Sequence, residues 1–246
     1  LFFIKMKKIA VIIPTYKEKE NIAKLINKIF RYLPNSKIFI IDDSPQSMAN
    51  ILKMFRKNVK YIHRKFKKGR GSAVLDGLNI SLNEKKFEVF LEMDADFSHN
   101  PKEIPKKINY FNKKKLDLLI SSRYLKQSKI LNWSLSRRIF SFASNFLAKN
   151  LLRVKVSDYT NGFRIYSKRS AKLISKKCGN IGDGFIVLSE ILLIINQKKF
   201  KIGELPTIFI NRKRGESSVN FKLILHSLYG LIKLALIKHN ILKNTK

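Results

Sequence analysis

Five short, almost wholly apolar segments, separated by stretches of helix length, constrain this chain more than any other feature. They are Lys7–Ile13, Lys37–Ile41, Val59–His63, Phe87–Met93 and Leu116–Ser121. Such β-branched, continuous runs suit strands buried on both faces, as in a parallel sheet. Between them lie segments with helical patterning, over about 18–33, 47–56, 72–82 and 101–112. The first puts Ile22, Leu25, Ile26 and Ile29 on one face. Strand and helix alternating in this way predict an α/β fold with a doubly wound, mostly parallel, Rossmann-like sheet. The crossover rule makes its connections right-handed.

The strands end in polar residues. Tyr16 and Glu18 follow the first, Asp42 and Asp43 the second, Asp94 and Asp96 the fourth, and Arg123 the fifth. A chance turn explains any one of these. All of them fall at the carboxyl edge of one sheet, where open α/β sheets bind ligands. Two carboxylates one residue apart suit a hard cation such as Mg²⁺ or Mn²⁺, which takes oxygen ligands and keeps positions for water and phosphate. An Asp-x-Asp pair alone serves a turn or a helix cap equally well. Gly69-Arg70-Gly71-Ser72-Ala73 opens a helix, where backbone can approach a ligand and phosphate can sit, or forms a plain turn.

Charge leaves two readings open. Fifty-one Lys and Arg against 17 Asp and Glu give a net charge of +34. This suits an anionic partner, namely nucleic acid, an anionic lipid surface or a phosphorylated substrate. It also follows from Lys-rich coding. The basic residues are spread along the chain, and no nucleic-acid reader motif accompanies them, so no nucleic-acid partner is expected. Cys178 is the only cysteine, which rules out an intrachain disulfide and a Cys-based zinc site and fits a reducing cytosol. Residues 1–5 precede Met6, are too short for a signal peptide and read as an upstream extension of the start. No uncharged run reaches the roughly 20 residues of a membrane span.

Eight motifs in order resemble the family 2 glycosyltransferases of the GT-A fold, and more narrowly the polyprenyl-phosphate (dolichyl-phosphate) mannose synthases. They are IPTYKEKEN (Ile13–Asn21), IDDSP (Ile41–Pro45), GRGSA (Gly69–Ala73), MDADFSH (Met93–His99), SSRY (Ser121–Tyr124), DYTNGFRIY (Asp158–Tyr166), GDGF (Gly182–Phe185) and FINRKRGESS (Phe209–Ser218).

The resemblance implies an inverting transfer of mannose from GDP-mannose to a polyprenyl or dolichyl monophosphate. The alternatives are a UDP-sugar donor, a basic nucleic-acid-binding protein and a catalytically dead binding subunit. Pro14, Tyr16, Glu18, Asp42, Asp43, Gly71, Asp94, Ala95 and Asp96 would hold the sugar nucleotide. Asp94 and Asp96, with Ser98 where relatives often have Gln, would hold Mg²⁺ or Mn²⁺. Arg123, Arg137, Ser141 and Arg212 would hold the acceptor phosphate, and Asp94, Asp96 and Arg123 would serve catalysis. Arg137 and Ser141 share a face of a long helix over 132–152. Ser218 stands where many relatives have Lys after the late Gly-x-Ser.

The expected division is a catalytic domain over 1–219 and an amphipathic helix over 220–246. The stretch Asn220–His239 has a wide apolar arc and a polar stripe of Lys222, His226, Gly230 and Lys233. It either docks on the core or lies on a membrane. Lipid-linked relatives often carry spans beyond this point. The expectation here is therefore a peripheral enzyme on the cytoplasmic face of a membrane, with a membrane protein as a possible partner.

Overall fold

The computed structural model describes residues 8–182, 184, 186–211 and 228–238. Among the described residues nine strands form in chain order: β1 (Ile9–Thr15), β2 (Lys37–Asp42), β3 (Val59–His63), β4 (Val89–Glu92), β5 (Leu118–Ser122), β6 (Lys129–Leu131), β7 (Arg164–Ser167), β8 (Ile202–Pro206) and β9 (Ile208–Ile210). The helices are α1 (Lys19–Tyr32), α2 (Ala49–Leu52), α3 (Arg70–Asn83), α4 (Ile104–Lys113), α5 (Leu135–Leu152), α6 (Lys168–Lys177) and α7 (Ile186–Gln197). Residues 228–238 form a further helix, α8.

Seven strands build one sheet in the order β3-β2-β1-β4-β7-β5-β8. Strands β1 to β4 are mutually parallel, and β5 pairs with β8 in parallel. This is the mostly parallel α/β sheet expected from the alternating segments. The difference is β7, which enters antiparallel between β4 and β5 and splits two strands that sequence order would place side by side. The chain leaves β1 towards β2 and β3, then returns to β4 on the other side, so the strand order reverses between β1 and β4. Such a reversal opens a crevice beyond the carboxyl ends of the strands.

Alternate side chains along each strand enter two different cores. Ala10 and Ile12 of β1 join Phe39, Val74, Leu78, Ile174 and Ile191 on one face, with α3, α6 and α7. Val11 and Ile13 join Ile22, Leu25, Ile26, Ile29, Leu52 and Ile104 on the other, with α1, α2 and α4. The two-residue period of a strand produces this division. The four α1 residues read as one apolar face are all fully buried.

Two helices differ from expectation. The segment over 47–56 is one α-turn, α2, followed by a 3-10 turn at Lys53–Phe55. Pro101 opens a 3-10 turn, capped by Asn100 accepting from the Lys102 N–H at 3.0 Å, and α4 follows. In α8, Leu231 and Leu234 pack into the core with Ile186, while Leu228, Tyr229, Ile232 and Leu236 are exposed. The rest of the expected helix over 220–239 lies outside the described residues.

Candidate active site

The ends of β1, β2 and β3 form one wall of the crevice. An open cleft of ≈ 740 Å³ lies between the loops after β1 and β2, lined among others by Lys17, Glu18, Asn21, Ser44, Pro45 and Met48. That volume suits a small organic ligand. Glu18 is half-buried, just before α1, and accepts from Asn21 Nδ2 at 2.7 Å. Tyr16 stands partly exposed, with Lys67 Nζ 3.8 Å from its ring centroid. Pro14 is buried within β1.

Asp42 and Asp43 both have protein partners. Asp42 is fully buried and accepts from Thr15 Oγ1 at 3.0 Å, Ser44 N–H at 3.0 Å and Tyr61 O–H at 2.7 Å. Asp43 takes both arms of Arg64 at 2.6 Å, and the N–H groups of Lys68 and Gly69 at 3.1 and 2.9 Å. Arg64 reaches on to Ser72 Oγ and Asp76. Asp43 therefore fixes the loop over 64–69 against the end of β2. These charges, and the hydrogen bonds that go with them, raise the Arg64 pKa although burial alone would lower it. Gly71 packs α3 against α7, where a Cβ would lie 2.4 Å from Val187 Cγ2.

At the end of β4, Asp94 and Asp96 are partly exposed and Ala95 between them is buried. Asp94 Oδ1 accepts from Arg70 Nε–H at 2.9 Å. Arg70 Nη2 also lies 2.8 Å from Asp94 Oδ1 and 2.8 Å from Oε1 of the fully buried Glu92. Burial lowers an arginine pKa, but the two carboxylates overcome it and raise that of Arg70. Asp96 Oδ1 accepts the Ser98 N–H at 3.0 Å. Ser98 is 1% exposed, and its hydroxyl has no hydrogen-bond partner among the described residues.

His99 is fully buried. Its Nδ1 accepts from the Asp94 N–H at 3.1 Å, which assigns the ring proton to Nε2. That N–H donates to Asn161 Oδ1 at 2.9 Å, and Asn161 donates in turn to the Ser121 carbonyl. The DYTNGFRIY segment thus holds the Asp-x-Asp turn in place.

Among the described residues no group of three or more His, Cys, Asp or Glu could hold a metal. Two carboxylates facing a crevice still fit a cation that arrives with phosphate oxygens, as Mg²⁺ commonly does.

The second wall begins at Arg123, which is 8% exposed. Its Nε and Nη2 donate to Asp158 at 2.8 Å each, its backbone N–H donates to the same carboxylate at 2.9 Å, and Nη2 also reaches Thr160 Oγ1 at 2.7 Å. Burial opposes both charges. Asp158 and Arg123 outweigh it for each other, so the carboxyl pKa is lowered and the guanidinium pKa raised. The Arg123 guanidinium sits 5.4 Å from the Trp133 ring and 5.5 Å from that of Phe209.

Ser134 caps α5 by accepting the Arg137 N–H at 3.3 Å. Arg137 then lies over Trp133 at 4.5 Å and donates to Asn211 Oδ1 at 2.8 Å. Ser141, one turn on, is 2.6 Å from the Tyr124 hydroxyl. Asn145 ties α5 to the Asp158 loop through the Tyr159 N–H and Thr160 Oγ1. Arg137 and Ser141 are thus brought together beside Arg123, whereas Arg212 lies outside the described residues.

Sequence reasoning missed Arg64, Glu92, Asn161 and Trp133, and it left Arg70 without a role. For Arg64 a signal existed. Parallel β2 and β3 pair Asp42 with His63, so their next residues are opposite charges side by side.

One stripe of the exposed surface of α5 is apolar. Leu135, Ile139, Phe142 and Phe146 are 73, 60, 63 and 62% exposed. Their spacing of four, three and four residues makes one stripe.

The sequence profile of Glycosyl transferase family 2 matches residues 10–174. An undecaprenyl-phosphate mannosyltransferase of Micrococcus luteus is 30% identical over 87% of this chain and 88% of its own. A dolichol-phosphate mannosyltransferase of Pyrococcus furiosus is 36% identical over 92% of this chain, which spans 64% of that protein's length. Glucosyl-3-phosphoglycerate synthase of Mycobacterium tuberculosis, solved with Mn²⁺, UDP and glucosyl-3-phosphoglycerate, superposes with a TM-score of 0.66 at 15% identity. It is matched over 95% of this chain and 80% of that one, a likeness of fold.

Proposed function

This chain belongs to glycosyl transferase family 2 and is a glycosyltransferase; from that premise we propose that it transfers mannose, with inversion, from GDP-mannose to a polyprenyl or dolichyl monophosphate. The observation that carries this reading is α5. One helix holds Arg137 and Ser141 beside the crevice and presents the exposed stripe of Leu135, Ile139, Phe142 and Phe146. A phosphate group and a hydrocarbon chain are the two things such a helix can bind at once. Relatives named for undecaprenyl- and dolichol-phosphate support the same acceptor class.

The cleft beside Glu18 and Ser44 would take the nucleoside, with Asp42 and Asp43 shaping its walls through Ser44, Tyr61 and Arg64. Asp94 and Asp96 would hold Mg²⁺ or Mn²⁺ with the donor diphosphate. Bound there, the cation supplies neutralisation of charge on the departing nucleoside diphosphate. Ser98, buried under this turn, holds its geometry through the backbone N–H to Asp96.

The acceptor needs no enzymic base. A phosphate monoester carries about −1.5 to −2 charge at pH 7, and its oxygen can attack the anomeric carbon directly. Arg137, held by Trp133 and Asn211, positions that anion. Arg123 has its fork committed to Asp158 and supports the wall by packing on Trp133. Its part is positioning rather than direct grip.

No helix among the described residues is long and apolar enough to cross a membrane. Peripheral association with the cytoplasmic face of a membrane is part of this proposal, and the exposed apolar residues of α5 and α8 support the association. Lys238 Nζ of α8 lies 3.4 Å from the Leu151 carbonyl of α5, so the two helices adjoin. The net charge of +34 favours anionic lipid.

The test is transfer by purified protein with Mn²⁺, a short polyprenyl phosphate and a panel of GDP- and UDP-sugars, read by mass spectrometry of the lipid product. Mannosyl-phosphoryl-polyprenol from GDP-mannose is expected. Product from a UDP-sugar alone would change the donor, and a better rate with free polyprenol would overturn the phosphate acceptor.

A further inference from the structure

Arg70 stands at the first position of α3 and points its guanidinium into the buried side of the Asp-x-Asp turn. Its side chain is 17% exposed and lies between Asp94, 26% exposed, and Glu92, fully buried. Glu92 is itself held by the Tyr166 hydroxyl at 2.5 Å. Space for the guanidinium depends on Gly162. A Cβ there would fall 1.8 Å from Arg70 Nη2 and 2.6 Å from its Cζ. Three distant segments therefore converge to seat one cation against Asp94.

We propose that Arg70 is a positioning residue that serves as an internal counter-cation for Asp94 and so makes divalent-cation binding depend on the donor's diphosphate. The proposal rests on the reading of Asp94 and Asp96 as the donor-cation ligands. A carboxylate that already accepts from a guanidinium presents a cation with a reduced negative potential. With two carboxylates at the turn among the described residues, that leaves little affinity for a bare cation. A nucleoside diphosphate brings the missing negative charge and oxygens. Glu92 tunes this balance. It takes part of the Arg70 charge without reaching solvent, so it makes the site more attractive to a cation than Arg70 and Asp94 alone would be.

The experiment measures Mn²⁺ binding by electron paramagnetic resonance to the full chain, alone and with GDP or UDP. Wild type should bind Mn²⁺ far more tightly with nucleotide. Arg70→Gln should bind bare Mn²⁺ about tenfold more tightly than wild type, since one charge beside a carboxylate shifts its cation affinity by that order. Arg70→Lys, which keeps the charge, should stay within about threefold of wild type. Glu92→Gln should bind bare Mn²⁺ more weakly, by roughly threefold, because Arg70 then acts on Asp94 undiluted.

A merely structural role predicts weaker binding for every variant. Weaker or unchanged bare-cation binding by folded Arg70→Gln overturns the proposal. Should that variant fail to fold, unchanged or tighter binding by Glu92→Gln overturns it. If wild type gains no Mn²⁺ affinity with either nucleotide, the donor-cation site itself is wrong, and the proposal falls with it.

Discussion

Replacing Arg123 by Met should cost the fold far more than it costs acceptor binding. Asp158 is fully buried and receives the Arg123 fork at 2.8 Å twice. Removing one partner of a buried pair costs about 3–5 kcal/mol, because the other charge stays uncompensated. Asp158 keeps the backbone N–H groups of residues 123, 160 and 161, at 2.9, 3.1 and 3.0 Å. Those donors put Arg123→Met at the low end, about 3 kcal/mol. Asp158→Asn should sit nearer 5 kcal/mol, since it leaves a buried guanidinium facing an amide that can turn a donor towards it. The assay is urea unfolding followed by circular dichroism. With a slope of about 3 kcal/mol per molar, Arg123→Met should lower the midpoint by about 1 M. The double variant should be less unstable than the sum of the singles by about 2 kcal/mol, the coupling of residues in one network. An Arg123→Met protein that unfolds with wild type, and only raises the KM for lipid phosphate, would refute this and restore Arg123 to the phosphate clamp.

Arg137→Ala should raise the KM for lipid phosphate at least tenfold and that for the sugar nucleotide little, measured by steady-state transfer; equal effects would remove Arg137 from the acceptor site. Phe142→Glu with Phe146→Glu should abolish flotation with anionic liposomes while the thermal unfolding midpoint stays within about 2 °C, since both side chains are exposed. Gly162→Ala should destabilise the protein by about 2 kcal/mol or more in urea unfolding, because its Cβ meets Arg70 at 1.8 Å. Lowering the pH should weaken the fold below about 4, read as a falling urea midpoint. Arg123 and Arg169 hold the carboxyls of Asp158 and Asp117 below the ordinary value, although burial acts the other way. That stabilisation is complete above the unfolded-state pKa and is lost as pH falls through the folded one.

The sheet was legible because its strands are apolar on both faces, and such runs suit few places other than the middle of an α/β domain. The strand ends were legible for the same reason, since charge that closely follows a buried strand must lie at an edge. A strand beside the site at Gly162–Arg164 was expected, but its antiparallel insertion as β7 between β4 and β5 was not foreseen. Its four residues, Arg164–Ser167, begin with an arginine buried by accepting carbonyls, the Asn161, Leu188 and Tyr159 oxygens. Nothing local announces a charged residue in a central strand.

Residue types and their order along the chain determined that Asp42, Asp43, Asp94, Asp96 and Arg123 share one edge. Only the tertiary structure decided which of them are spoken for. Asp43 is turned to Arg64, Arg123 to Asp158, and Asp94 shares Arg70 with Glu92. Charges find partners through space, from loops 21 to 35 residues away, and one-dimensional order does not encode that geometry. The apolar stripe of α5 shows the same division. Its period was readable as a helix with an apolar face, but whether that face turns to the core or to the outside depends on what packs beside it. Ala148 and Leu152 go inward, and Leu135, Ile139, Phe142 and Phe146 remain outside.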